Sequence, residues 1–273
     1  MIIRLAHSPD ADDAFMFHAL ANGKIDTGGL VYEHVLKDIQ TLNEAAREGR
    51  YEVTALSAHA WATVADRYDI LTHGASIGMK YGPIVVARED RPLESFRVIA
   101  VPGRLTSAYL ALRLRAPGFR EKVMPFDAIL EAVADGREEA GLLIHEGQLT
   151  YQDRGLRRIE ELGEWWFGKT GLPLPMGVNA IRRDLAEDLK RLVSSHLKAS
   201  ILYSLGHRQE ALDHALKFGR GLTRDVADRF VGMWVNERTL DMGEEGKQAI
   251  RLLLDMGVDA GLVPSMPALR FIE

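Results

Sequence analysis

Along roughly the first half of the chain, short apolar runs alternate with stretches of helical spacing, joined by turns, and no other property restricts the fold so tightly. Ile2 to Ala6 reads as a strand and His7-Ser8-Pro9-Asp10 as a turn, after which Asp12 or Asp13 caps a helix running towards Asn22. Val31 to Leu36 is a second strand. Asp38 then caps a helix whose apolar face is Ile39, Leu42 and Ala46, and Gly49 ends it. Val53 to Leu56 is a third strand, Ser57 stands where a cap belongs before a helix carrying Trp61 and Val64, and Tyr68 to Leu71 is a fourth. PIVVA (Pro83 to Ala87) and RVIAV (Arg97 to Val101) are continuous apolar strands. Thr106 caps a helix beginning SAYLALRL, Asp127 opens one that Gly136 closes, and the run Leu142 to Ile144 is a strand stopping at His145. Alternation of this kind predicts parallel sheets covered by helices.

After Gly171 the pattern changes. LPLPMG (Leu172 to Gly177) is stiff and extended, because proline excludes helix and biases the residue before it to extended angles. Beyond it the chain is mostly helical: Asp184 caps a helix with Leu185, Leu189, Leu192 and Leu197, and further helices cover Gln209 to Phe218, Arg224 to Val235 and Glu244 to Met256. Extended crossings near Pro83 to Arg88 and Leu172 to Asn179 enclose a compact unit. They divide the chain into a discontinuous lobe of residues 1–87 and 178–273 and a second lobe of residues 88–177. A cleft between two lobes is a favoured ligand site. A single larger sheet carrying an insertion is the alternative.

Composition narrows function by exclusion. The formal net charge is -5 with no acidic or basic block, which speaks against a nucleic-acid surface. The absence of cysteine removes disulfides, Cys-zinc sites, iron–sulfur clusters, a cysteine nucleophile and a lipidated anchor together. The opening MIIRLAHSPDADDAF lacks the apolar core of roughly 7–15 residues of a signal peptide. No stretch approaches the roughly 20 apolar residues of a membrane span. A cytoplasmic protein without a membrane partner is expected. No GxGxxG, GxxxxGK[ST] or GxSxG occurs, and none of the nine histidines falls in HExxH or another zinc spacing.

Three helix starts follow strands and carry small hydroxyl or acidic residues: Ser8 to Asp13, Ser57-Ala58, and Thr106-Ser107-Ala108. Free N–H groups and the helix dipole favour an anion there, a carboxylate above all. In VPGRLTSAY, Gly103 permits a tight turn, Thr106 and Ser107 add hydroxyl donors, and Ala108 lets a ligand approach. Plain capping explains any one of these starts alone. His145, at the carboxyl end of a strand, faces the crevice where such sheets bind ligands and has the side chain suited to proton transfer near neutrality. Taken by itself it reads equally as a loop histidine satisfied by hydrogen bonds. His7, His59 and His73 are secondary candidates. Asp10, Asp12 and Asp13 lack any metal-loop spacing and read as caps and solvated charge. Asn43 points into the cleft or to solvent, and Trp165 and Trp166 read as core or hinge packing.

SPDADDAFMF, DIQTLNEAAREGRY, YGPIVVARE, VPGRLTSAYLALRL, GLLIHEGQLTY, LGEWW and TGLPLPMG together resemble, in order and over nearly the whole chain, the 1,4-dihydroxy-6-naphthoate synthase family of the futalosine route to menaquinone. The resemblance implies an α/β, two-lobed, periplasmic binding protein-like type II fold. It implies a cofactor-independent carbon–carbon lyase converting cyclic dehypoxanthine futalosine to 1,4-dihydroxy-6-naphthoate, with a dihydroxyacetone-type fragment released. It assigns His145 as the base. It assigns Ser57, Thr106, Ser107 and Ala108 and the first-loop residues Ser8, Asp12 and Asp13 to substrate binding, with no metal; Asn43 and Gly82 are further substrate-binding candidates. Two places depart: some members read SPCPNDTF in the first loop, and some carry a lysine where this chain has Ala55.

Two rival readings share the fold: a solute-binding protein of a transporter, and the chorismate dehydratase of the same pathway. The missing signal peptide and anchor cysteine oppose the first. The second calls for an aromatic-Leu-Asn type loop after the first strand, where this chain has His-Ser-Pro-Asp. The expected partner is a small-molecule carboxylate, and monomer and homodimer both stay open.

Overall fold

The computed structural model describes residues 1–218 and 222–273. Two sheets organise them. The larger has seven strands, running from one edge as Phe271–Ile272, Tyr68–Leu71, Leu174–Arg182, Val53–Ser57, Ile2–His7 and Val31–Leu36, with Ser76–Gly78 also paired to Leu174–Arg182. The smaller has five, in the order Arg157–Glu161, Ile84–Ala87, Ala140–Leu143, Val98–Val101 and Arg120–Val123. The central strands are the apolar runs of the sequence. Ile3, Leu5, Val53, Leu56, Val85 and Val86 are all fully buried, as strands covered on both faces require.

The sheets are mixed rather than wholly parallel, which corrects the expectation from alternation. Ile2–His7 runs parallel to Val31–Leu36 and Val53–Ser57, but Leu174–Arg182 opposes its neighbours, with Gly177 facing Ser57 and Ile181 facing Val53. Ile84–Ala87 likewise opposes Ala140–Leu143, with Ile84 facing Leu143. Both reversed strands carry the chain as it passes from one sheet to the other, so each enters its sheet from the opposite end. The first passage packs on the helix Leu162–Thr170: a Cβ on Gly163 would lie 2.2 Å from the Tyr81 carbonyl, so only glycine fits.

Several local expectations hold. The Asp38 carboxylate accepts from Thr41 N–H at 3.0 Å at the start of Ile39–Ala46, and Thr106 Oγ1 accepts from Tyr109 N–H at 3.1 Å before Ser107–Arg115. Others shift. The first helix is the short Ala11–Met16 with Asp10, not Asp12 or Asp13, at the cap position. The helix after Ser57 is a single turn, Ala58–Trp61. Asp184 pairs with Arg182 at 2.6 Å, while the long helix Glu187–Gly206 starts behind Ala186. Leu192 on that helix stays 42% exposed, so it lies outside the buried face that Val193, Leu197 and Ile201 form.

The helices Glu187–Gly206, Arg208–Ala215 and Arg224–Trp234 pack on Ala11–Met16 around Phe15, Leu197, Leu212 and Phe230. A second cluster is continuous across both sheets, joining Leu56 and Trp61 to Val85, Val101, Leu110 and Trp166. Trp166 is fully buried with Nε1 donating to Pro173 O at 3.0 Å, so it serves packing near the second passage. Among the described residues no helix is long and apolar enough to cross a membrane.

Candidate active site between the sheets

The carboxyl ends of Ile2–His7 and Val53–Ser57 in the larger sheet meet those of Val98–Val101 and Ala140–Leu143 in the smaller. This is where open α/β sheets hold their ligands. A cavity of about 730 Å³, mouth included, lies between them. Its walls differ in chemistry. One carries Asp10, Asp12, Asp13 and His145, a second Ser57, Ser107 and Ala108, and a third is apolar, with Ile39, Leu56, Ile144, Met176, Val178 and Trp234.

His145 stands two residues past its strand and takes a left-handed backbone, φ 61°, unusual for a side chain of its size. Gln148 holds this turn. Its backbone N–H donates to His145 O at 3.2 Å. With the amide oriented to satisfy both ends, its side chain accepts from His145 N–H at 3.2 Å and donates to Gly82 O at 2.7 Å. The imidazole packs edge-on against Phe126, ring centroids 4.6 Å apart, and remains 16% exposed. Its Nδ1 lies 2.9 Å from Asp10 Oδ2, while Nε2 has no hydrogen-bond partner among the described residues. Burial by itself depresses the imidazole pKa. The adjoining Asp10 carboxylate outweighs it, with Glu146 and Asp12 adding to the effect, and the pKa rises from 6.5 to about 9. The ring is therefore cationic at neutral pH.

The acidic loop is neither solvated nor a set of helix caps. Asp10 and Asp13 are buried, and the Asp13 carboxylate accepts from Ser8 N–H at 2.8 Å. The Ser8 hydroxyl donates to Asp10 Oδ2, the oxygen that also faces His145. Burial first, and then neighbouring carboxylates, push Asp12 up to about 7 and Asp13 well above the usual carboxylate range. Among the described residues no group of three or more His, Asp or Glu is arranged to hold a metal ion.

On the second wall the hydroxyls are less available than their residue types suggest. Thr106 Oγ1 donates to Gly103 O at 2.8 Å while capping its helix. Ser107 Oγ donates to Met176 O at 2.6 Å and accepts from His59 N–H at 3.2 Å. What remains for a ligand is the backbone: the N–H groups of Ser107 and Ala108 at the helix start bond to no other described residue. Ser57 keeps its own proton, because Asn43 Nδ2 donates to Ser57 Oγ at 3.1 Å and Asn43 Oδ1 accepts from Ser57 N–H at 2.9 Å. Asn43 thus points neither into the cleft nor to solvent. It is buried behind Ser57 and orients it.

Ser8, Asp12, Asp13, Ser57, Thr106, Ser107, Ala108 and His145 all line the one cavity; Asn43 and Gly82 do not. Gly82 packs against Gly163 and Leu174 at the passage between sheets. His7, His59 and His73 lie outside the lining, each bonded to a backbone carbonyl. Reading by residue type overlooked Asp10 as a partner for His145, and Ser76, Asn179 and Trp234 as lining residues. The extended LPLPMG segment was the one signal that led towards Met176 to Asn179.

The lining thus offers donors at Ser57, Ser107 and Ala108, acidic groups from the first loop, and apolar side chains. A family model described as menaquinone biosynthesis matches residues 3–259. A Thermus thermophilus protein named 1,4-dihydroxy-6-naphthoate synthase is 43% identical, the alignment covering 99% of both chains. A Streptomyces coelicolor protein of the same name is 36% identical over 97% of this chain and 95% of its own. The crystal structure of an Archaeoglobus fulgidus protein superposes with a TM-score of 0.93 at 48% identity, covering 96% of this chain and 98% of that one. A Candida albicans protein described as having the generic periplasmic binding protein fold superposes at 0.68 and 14% identity, covering 100% and 98%, and so speaks for the fold alone. By sequence and by architecture, this chain belongs to the menaquinone-biosynthesis family, with a two-lobed periplasmic binding protein-like fold.

Proposed function

We propose that the chain is a 1,4-dihydroxy-6-naphthoate synthase, a carbon–carbon lyase acting on cyclic dehypoxanthine futalosine. Full-length similarity to two proteins of that name supports the reaction. The observation that carries the chemistry is His145, a cleft imidazole with Nδ1 held and Nε2 without a partner among the described residues. In this reading the substrate carboxylate lies against the Ser57 hydroxyl and the N–H groups of Ser107 and Ala108, and its ring system against Leu56, Met176 and Trp234. The neutral form of His145, the minor one at pH 7 with a pKa of about 9, removes a proton from the substrate through Nε2. Carbon–carbon cleavage and aromatisation follow, and the sugar-derived fragment departs. Closure of the walls excludes water and aligns the base. The reading carries with it a cytoplasmic location, which cell fractionation checks.

Purified protein incubated with cyclic dehypoxanthine futalosine should yield the naphthoate, seen by absorbance and mass. A positioned base supplies about 10²–10⁴-fold. His145→Asn should lose turnover by that factor while still binding substrate. Product absent from the wild-type incubation refutes the reaction, and near-normal turnover by His145→Asn refutes the base.

A further inference from the structure

We propose that Asp10 is the positioning residue of the site: its carboxylate, shared with the Ser8 hydroxyl, clasps His145 Nδ1 across the cleft and so presents Nε2 to the substrate. The inference rests on the base role given to His145 above and adds to it a residue that residue-type reading passed over.

The geometry is specific to one carboxylate among several. Asp10 Oδ2 is 2.9 Å from His145 Nδ1, hydrogen-bond distance, with the Asp10 side chain 1% exposed and the imidazole 16%. Asp13 is committed elsewhere, to Ser8 N–H. The two partners hang from different sheets. Asp10 follows the strand Ile2–His7 of the larger, and His145 follows Ala140–Leu143 of the smaller. Their bond therefore forms only at the separation the sheets have here. Beyond this bond, the Phe126 contact and the left-handed backbone also hold the ring.

Such a clasp has two chemical consequences. With Nδ1–H donated to Asp10, a neutral His145 carries its lone pair on Nε2, so the tautomer and the ring plane are both selected. When Nε2 takes the proton, Asp10 remains a carboxylate and stabilises the imidazolium, with no second proton transfer. The charged groups facing the ring are Asp10, Asp12 and Asp13 from the first loop and helix, and Glu146 from its own turn. Of these, Asp10 makes the direct bond and the largest upward contribution to the imidazole pKa, opposing the downward effect of burial.

The test is Asp10→Asn, read three ways. In wild-type protein, NMR titration of the His145 ring should give an inflection near 9, and in Asp10→Asn one displaced towards the ordinary 6.5. The acid limb of kcat/KM against pH should move in the same direction. A misaligned base costs on the order of 10² in rate, so kcat at the pH optimum should fall by about that factor with KM near its wild-type value. Asp10→Glu should recover part of both the raised acid limb and kcat. Should Asp10→Asn fail to fold, Ser8→Ala decides. Removing the hydroxyl that shares the Asp10 oxygen leaves a more strongly charged partner, and the His145 inflection should rise. An Asp10→Asn profile and ring titration that coincide with wild type overturn the proposal, as does an unmoved titration in Ser8→Ala. A shifted titration in a wild-type background that does not turn over the futalosine substrate refutes the reaction and leaves the clasp established.

Discussion

A single hydroxyl can be judged by what it already bonds. Ser57, Thr106 and Ser107 look alike in the sequence, but Thr106 and Ser107 donate to carbonyls at 2.8 and 2.6 Å, whereas Asn43 donates to Ser57 Oγ and leaves its proton free. Ser57 is therefore the side-chain donor of its wall. A hydrogen bond to a charged group contributes about 1.5–3 kcal/mol. Ser57→Ala should weaken binding of the naphthoate product by about 10–100-fold in calorimetric titration, and it also leaves the buried Asn43 Nδ2 unpaired, at about 1–3 kcal/mol of stability. Unchanged affinity would move the carboxylate elsewhere in the cavity.

At the scale of the element, the turn after Ala140–Leu143 decides where the imidazole goes. A left-handed residue other than glycine costs roughly 1–3 kcal/mol and persists only when its surroundings hold it. Gln148 is that hold, bonding His145 N–H on one side and Gly82 O on the passage between the sheets on the other. Gln148→Ala would leave both groups unpaired, each costing about 1–3 kcal/mol if water cannot reach it. Chemical denaturation should show a loss in that range, and kcat should fall more than KM rises. A variant as stable and as active as wild type would show the turn to be held by something else. The same scale explains which strands escaped reading. Arg120–Val123 and Arg157–Glu161 are edge strands of sequence REKV and RRIEE, the first mostly exposed and the second partly so, and charge that protects an edge from pairing also hides it from a search for apolar runs.

Across the whole molecule, folding takes out of water acidic groups that are already neighbours in the chain, Asp10, Asp12 and Asp13, and stability then depends on pH. Asp12 rises from 3.8 in the open chain to about 7 in the fold, through burial first and Asp10 next. A group raised in the native state favours folding when protonated. Its contribution is complete below pH 3.8 and is lost as pH climbs through 7. His145, raised from 6.5 to about 9, adds stability that is complete below 6.5 and lost through 9. This cluster therefore makes the protein less stable towards alkaline pH. Asp12→Asn removes the first contribution. Above pH 7 its Tm should exceed the wild-type value by a few degrees, corresponding to on the order of 1–2 kcal/mol, and the difference should vanish in acid. A Tm below wild type at alkaline pH would contradict the shift.

The residues near one another in the chain determined what needs only neighbours: the buried strands, because a run such as Ile84–Ala87 has to be covered on both faces; the caps at Asp38 and Thr106, because an N-cap oxygen reaches an N–H three residues on. The family, too, was readable, since its motifs are short segments in order, and so were His145 and the hydroxyl segments. Only the tertiary structure decided that Leu174–Arg182 runs against its neighbours, that Asn43 serves Ser57, and that Asp10 meets His145. Those are contacts between distant segments. Their geometry is set by how two sheets dock, and docking distance leaves no periodicity in a sequence.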